Sequence, residues 1–348
     1  MKQFFFTILA MLLLASCSQN KTPDVSDIKV DLHLLRFEHD LFGIDTSNLD
    51  TSIESLKKKY PNFTVDYLAN ILGLNADSIA AGNPQSIAFK QFLKDYAPIK
   101  DSSDKIYKDF SKWFEEVREG LKYVRFYFPD YHLPKKIITF IGPMDAFFQT
   151  SFGIQGDVLT SDGLGIALQL HLGKNFSFYN SEIGQTLYPE YISRNFDAAH
   201  IPRNCMRNIV DDLFPSKTKF NTLIGQMVER GKRLYLLTRF LPKEKESVLL
   251  GYTDDQMKGV LKNEAVIWDF FLSNDLLNNS DQNLIKNYVG ESPVTQEFGQ
   301  NAPGDLGSFT GLQIVKKYMQ KFPETTLTEL MNVNPRNVFE RSKYKPKS

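Results

Sequence analysis

An α+β fold, mostly helical with a small mixed or antiparallel sheet at its middle, is predicted by three features of the sequence. Apolar residues recur at three-and-four spacing before Pro129 and again after His200, the period of amphipathic helices. Between these regions, after Pro134, the pattern changes to short β-branched runs. Helical segments precede the strand segments and follow them instead of alternating with them, which separates α+β from a regular βαβ order.

The elements follow in order. Ile28 to Phe37 alternates in part, with Ile28, Val30, Leu32 and Leu34 on one side and Lys29, Asp31 and His33 on the other. It reads as a strand with one wet face. Thr51 to Tyr60 and Val65 to Leu72 read as short helices. Ser86 to Tyr96 reads as a helix ended by Ala97-Pro98, because the residue before a proline is disfavoured in the α region. Ile106, Phe110, Trp113, Val117 and Leu121 then mark a long helix begun near Ser102 or Ser103 and ended by Pro129. Lys136 to Ile141 is a β-branched run closed by Gly142-Pro143, hence a buried strand. Phe147 to Phe152 and Ile154 to Leu159 are further extended pieces. Asp162-Gly163 is a turn signal, and Leu164 to Leu172 is the next strand, stopped at Gly173.

A helix pair comes next. Pro202 suits the first turn of one helix and Pro215 ends it, with Ile201, Cys205, Ile209 and Leu213 inward. The second runs from about Lys219 to Leu241, with Leu223, Met227, Leu234 and Leu237 inward and Pro242 as the stop. Gly231 sits inside it at a cost of about 1 kcal/mol against Ala, which points to another helix approaching closely there. Thr253-Asp-Asp-Gln256 is a capping-box pattern, and Met257, Leu261, Ala265, Trp268 and Leu272 form the stripe behind it. Ser280 caps a short helix to Tyr288. Pro293 to Ser308 is a long loop. Phe309, Leu312, Val315, Met319 and Phe322 mark another helix, and Asn334-Pro335 opens the last.

The 41 Lys and Arg residues are balanced by 41 Asp and Glu, so the chain lacks the concentrated basic surface that nucleic acid requires. At the start, Lys2 precedes an apolar run, Phe4 to Leu14, that is too short for a comfortable transmembrane helix. The run ends Leu14-Ala15-Ser16-Cys17, which resembles the lipobox of bacterial lipoproteins. In that family the signal is cut before the Cys, whose thiol and new amine are acylated, palmitate being one such chain. The resemblance implies a signal peptide at 1–16, lipidation at Cys17 and a lipidated tether over 17–27. Several acyl chains anchor stably where one is marginal. Residues 28–348 then read as a single α+β domain. Its parts are a helical N-terminal part (28–135), the sheet with the helix pair (136–241) and a helical C-terminal part (242–348). Ser18 and the lack of an acidic cluster after Cys17 favour a periplasm-facing position, on the inner leaflet of the outer membrane before the inner membrane. With Cys17 acylated, Cys205 has no partner for a disulfide.

The helix pair has the layout of one large class of zinc enzymes, in which His-Glu-x-x-His lies on the first helix and a Glu beside a Gly on the second. Two His at i and i+4 offer lone pairs to one zinc, and the Glu acts as base on zinc-bound water. Here that frame is filled by Arg203, Asn204 and Arg207. A guanidinium has no free lone pair, and an amide does not take a proton at working pH. The third-ligand position falls near Glu229 or Arg230. His33, His39, His132, His171 and His200 include no pair at ligand spacing. The residues thus assign no catalytic group, no metal and no cofactor. Arg203 and Arg207 share a face, and Arg230 with Lys232 approaches it from the second helix. Together they suit a carboxylate, a phosphate or a peptide. The alternative is that these cations are solvated, or paired with Asp197, Asp211, Asp212 or Glu229.

Several segments together carry a wider resemblance. They are Cys17 in its lipobox, Phe126-Tyr-Phe-Pro129, Asp157-Val-Leu159, Gly231-Lys232-x-Leu234-Tyr235, Leu250-Gly-Tyr-Thr253 and Asn263-Glu-x-x-Ile-Trp268. Pro293-x-Thr295, Ala302-Pro-Gly304, Gly311-x-Gln-Ile-Val315 and Ser342-Lys-Tyr-Lys-Pro346 complete the set. The chain resembles the gliding-motility lipoprotein B (GldB) family of Bacteroidota over nearly its full mature length. That family is similar in its second half to predicted zinc-dependent proteases. The resemblance implies a zincin-like, metalloprotease-related core, mostly helical with a small mixed β-sheet, in which the catalytic positions are degenerate. It also implies a lipid-anchored, non-catalytic component of the gliding or associated secretion machinery, in contact with other envelope proteins. The alternatives are an envelope metal-dependent hydrolase with atypical ligands, or a ligand-binding lipoprotein.

Overall fold

The computed structural model of the protein describes residues 22–75, 79, 83–215, 222–299 and 301–347. The signal segment 1–16, Cys17 and the start of the tether lie outside the described residues, as does Lys219.

The sheet is mixed. Its strands are β1 (His33–Arg36), β2 (Lys136–Phe140), β5 (Val158–Leu159) and β6 (Leu164–Ala167), in the order β1-β2-β6-β5. The first three neighbours run parallel, and β5 closes one edge antiparallel. A separate hairpin is formed by β3 (Phe148–Thr150) and β4 (Gly153–Gln155). The Asp162-Gly163 signal is the turn between β5 and β6, where Thr160 and Gly163 exchange backbone hydrogen bonds at 2.9 and 3.2 Å. Gly163 has φ +152, and a Cβ there would fall 2.3 Å from the Lys136 carbonyl.

Helices bury both faces of this sheet, and β2 therefore reads as an unbroken apolar run. Ile138 and Phe140 face one core, together with α1 (Phe37–Phe42), α2 (Leu49–Lys59), α3 (Phe63–Asp66) and α4 (Pro84–Ile106). Tyr67–Ile71 continues α3 as a π turn. Phe37 is the hub of that core, with edge contacts to Tyr60, Phe63 and Tyr67 at 4.9–5.0 Å between ring centroids. Ile137 and Ile141 face the larger core, which includes α5 (Ser111–Tyr127), α8 (Ile201–Leu213) and α9 (Leu223–Phe240). Between β6 and α8 lie two short helices, α6 (Glu182–Leu187) and α7 (Glu190–Ser193). The C-terminal third adds α10 (Glu246–Leu250), α11 (Asp254–Lys262), α12 (Glu264–Ser273), α13 (Gln282–Lys286), α14 (Leu306–Lys321), α15 (Leu327–Asn332) and α16 (Pro335–Ser342).

The long helices are placed as their residues dictate. Pro202 occupies the first turn of α8, where its missing N–H costs nothing. Thr222 caps α9 by accepting from the Gly225 N–H at 3.3 Å. The close approach expected at Gly231 is found: a Cβ there would lie 2.2 Å from the Gly311 carbonyl carbon of α14. The capping box at Thr253 and Gln256 forms in both directions.

Six expectations need correction. Ile28 to Leu32 is not a strand, because the register pairs His33 with Lys136 and Pro134 has no N–H to extend the ladder. Helix α4 runs through Pro98 instead of ending there. Its far end is held by Ile99, packed against the core, and by Asp104, bonded to His39 at 3.0 Å and, within the helix, to Lys100 at 2.6 Å. The next helix consequently begins at Ser111 and not near Ser102. The strand after Gly163 stops at Ala167, and Leu168–Leu170 leaves the sheet as a 3-10 turn. The stripe behind Thr253 is broken at Asn263, so Val260, Ile267 and Phe271 are buried while Leu261 and Leu272 are exposed. Finally, Asp281 caps α13, not Ser280.

Candidate functional site

A cavity of about 70 Å³ opens beyond the carboxyl end of β6, against one face of α8. Open α/β sheets place ligands at that end of their parallel strands. Its walls come from five places: Gln155 and Gly156 before β5, His171 after β6, Tyr191 to Phe196 around α7, Leu250 to Tyr252 at the end of α10, and Glu291, Ser292, Gly304 and Asp305 from the loop before α14. Arg203, Asn204 and Arg207, the three residues in the frame of the zinc-enzyme motif, all line it. Helical spacing predicts the shared face, and the structure has it.

The two arginines are neither solvated nor paired with the acids expected for them. Arg203 is 4% exposed and Arg207 9%. Arg203 donates from Nη1 to the Val248 carbonyl at 2.9 Å and from Nε to Asn204 Oδ1 at 3.1 Å. Arg207 donates from Nη2 to the Leu249 carbonyl at 3.2 Å and lies 5.0 Å over the Phe152 ring. The four candidate acids are engaged elsewhere. Asp211 binds Arg233 at 2.8 Å, Asp212 accepts from the Tyr131 hydroxyl, Glu229 binds Lys232, and Asp197 caps the Ala199 N–H. Burial presses Arg203 well below the ordinary guanidinium range, with Arg207 adding to it. Burial likewise brings Arg207 down to about 10, opposed first by Glu291.

Arg230 lies 5.8 Å over the Phe152 ring, close enough for its charge to act on Arg207 and Asp305. Lys232 does not join the cluster. It is buried toward the C-terminal helices, donating to the Met331 and Val333 carbonyls at 3.1 Å each and pairing with Glu229 at 2.8 Å. Positions two apart on a helix face different sides, so Arg230 and Lys232 could not both turn to one site. Lys232→Met is expected to lose roughly 1–3 kcal/mol, since two carbonyls and a carboxylate lose their donor. Urea unfolding checks this, and a midpoint equal to wild type would contradict it.

Sequence reasoning missed the acidic side of the site. Asp157, 1% exposed, receives the Ala167 N–H at 2.9 Å, His171 Nε2 at 2.8 Å and Asn204 Nδ2 at 3.0 Å. His171 Nδ1 faces the Asp197 carbonyl at 3.3 Å. This network fixes Asn204, which in turn fixes Arg203. Arg194, Glu291 and Asp305 were also missed. Arg194 donates to the Gly251 carbonyl at 3.0 Å. Asp305 is held at φ +59, receives the Gly290 N–H at 2.9 Å, and has its carboxyl raised mainly by burial. A non-glycine residue in that region stores strain. The one available signal was that Asp157, Gly251, Tyr252 and Gly304 lie in the segments that carry the family resemblance. His200 precedes α8; its Nδ1 is buried without a partner among the described residues, and burial with Arg203 beside it pushes the ring down to about 2. Among the described residues, no three His, Cys, Asp or Glu side chains form a metal-holding group.

Fold and site together define a helix-rich α+β protein with an arginine-lined cavity between α8 and the segment that follows β6. Among the described residues no helix is long and apolar enough to cross a membrane. The chain belongs to the gliding motility protein GldB family, whose model matches residues 18–346. It is a gliding motility-related lipoprotein by family, which associates it with the cell envelope. No curated protein and no solved structure matches the chain.

Proposed function

We propose that the protein is a lipid-anchored, non-catalytic component of the gliding machinery, held at the periplasmic side of the envelope through Cys17. The inner leaflet of the outer membrane is the favoured surface. Membership of the motility family over 18–346 carries the reading. Donor chemistry supports its non-catalytic half. On the face of α8 where a zinc protease needs two imidazoles and a carboxylate, this chain places two guanidiniums and an amide, all lining one cavity. The cavity is then the vacated site of a zincin-like core, retained as a binding surface and contacting other envelope proteins.

Two measurements on the full-length protein test this. In-cell crosslinking is expected to join it reproducibly to other components of the motility apparatus, and recovery of the protein alone would defeat the machinery assignment. The purified protein incubated with zinc is expected to hydrolyse no peptide. Stoichiometric zinc with chelator-sensitive peptidase activity would establish the hydrolase alternative instead.

A further inference from the structure

Four residues that line the cavity each carry a buried polar atom with no partner among the described residues: Nε of Arg194, Nε of Arg207, Oγ of Ser292 and Oε1 of Gln155. Buried polar groups in native proteins are almost always satisfied, so orphans gathered around one cavity point to an occupant. Two are guanidinium donors and one is a hydroxyl, a set that suits an oxyanion. The fourth, Gln155 Oε1, is an acceptor and requires an N–H. Gln155 is itself 4% exposed, and its amide nitrogen is already committed to the Asp157 carbonyl at 3.2 Å.

Charge narrows the anion. The cavity of about 70 Å³ has room for several waters, each needing roughly 10–15 Å³ of such space. That is space for a carboxylate together with the residue that carries it. Glu291 and Asp305 line the same cavity, so a second negative charge on the ligand would be opposed. A singly charged group bound by the Arg207 fork avoids that opposition. Phe152, Ile154 and Ile192 line the cavity as well and offer apolar surface to whatever carries the carboxylate.

We infer that the cavity captures the C-terminal residue of a peptide, its free carboxylate against Arg194, Arg207 and Ser292 and its last amide N–H against Gln155. The cost of burying Arg203 and Arg207 without an ion pair is then offset when the ligand arrives. The site stands independently of the motility role: it would remain if the crosslinking failed, and fail if the carboxylate proved irrelevant.

Titration of the full-length protein with an N-acetylated alanine tripeptide, as free acid and as C-terminal amide, is the test. The acid is expected to bind at least about tenfold more tightly than the amide, and more tightly than acetate or inorganic phosphate. Arg207→Lys keeps the charge and loses the fork, and is expected to weaken the acid about fivefold or more. Should that variant fold poorly, the wild-type comparison of acid with amide decides alone. Equal affinity for acid and amide, tighter binding of phosphate, or acetate matching the peptide would each overturn the assignment.

Discussion

Gly311→Ala and Gly231→Ala are each expected to destabilise the protein by roughly 3 kcal/mol or more, at the upper end of overpacking effects. At Gly311 the new Cβ would fall 1.7 Å from the Met227 carbonyl oxygen; at Gly231 it would fall 2.2 Å from the Gly311 carbonyl carbon. These obstacles are backbone atoms of two packed helices, so no side chain can rotate away. The helices would have to part, and α14 is buried continuously from Leu306 to Leu312, so parting strips contacts along its length. A matched control is available in Gly259 of α11, where a Cβ meets nothing within 4 Å. Gly259→Ala is expected to stabilise by about 0.5–1 kcal/mol, through helix propensity alone. Urea unfolding of the three variants separates the cases, with the midpoint moving at constant slope. A Gly311→Ala variant as stable as wild type would show that the two helices do not touch through their backbones.

The second large effect is expected at Asp157. Asp157→Ala would leave the Ala167 N–H, His171 and Asn204 without their shared acceptor, in a place almost closed to water. Each buried donor left unsatisfied costs about 1–3 kcal/mol, so a total loss of about 3 kcal/mol or more is expected. Asp157→Asn keeps the shape but offers one oxygen to three donors, and its own NH2 would face a donor. Its loss is expected to be smaller, about 2 kcal/mol. A double-mutant cycle with His171→Ala tests the coupling. If the pair acts as a unit, the double variant loses clearly less than the sum of the singles. Strict additivity would mean that Asp157 and His171 are merely neighbours.

Most helices were legible because their stripes are local. Pro202, the Thr253 capping box and the Asn334-Pro335 start each act within one turn, and each appears where its residues place it. Pro98 misled for the opposite reason. The local penalty of a proline is real, about 3 kcal/mol, but Ile99 and Asp104 hold the following turns from outside the helix. The stripe through Leu261 and Leu272 failed because Asn263 breaks the helix and resets its phase.

The site divides in the same way. Arg203, Asn204 and Arg207 share one helical face by spacing alone, and the sequence was enough to say that this face cannot present two imidazoles to a zinc ion. It was enough, too, for the family and for the approach at Gly231. Folding alone decided that both arginines are buried, that Lys232 serves the C-terminal helices, that Asp157 stands behind Asn204 and His171, and that Glu291, Ser292 and Asp305 meet on the walls of the same cavity. The reason is one of range. Helical periodicity is set by neighbours within four residues, whereas the environment of a charge depends on chain segments more than forty residues away, as in the bond between Arg203 and Val248.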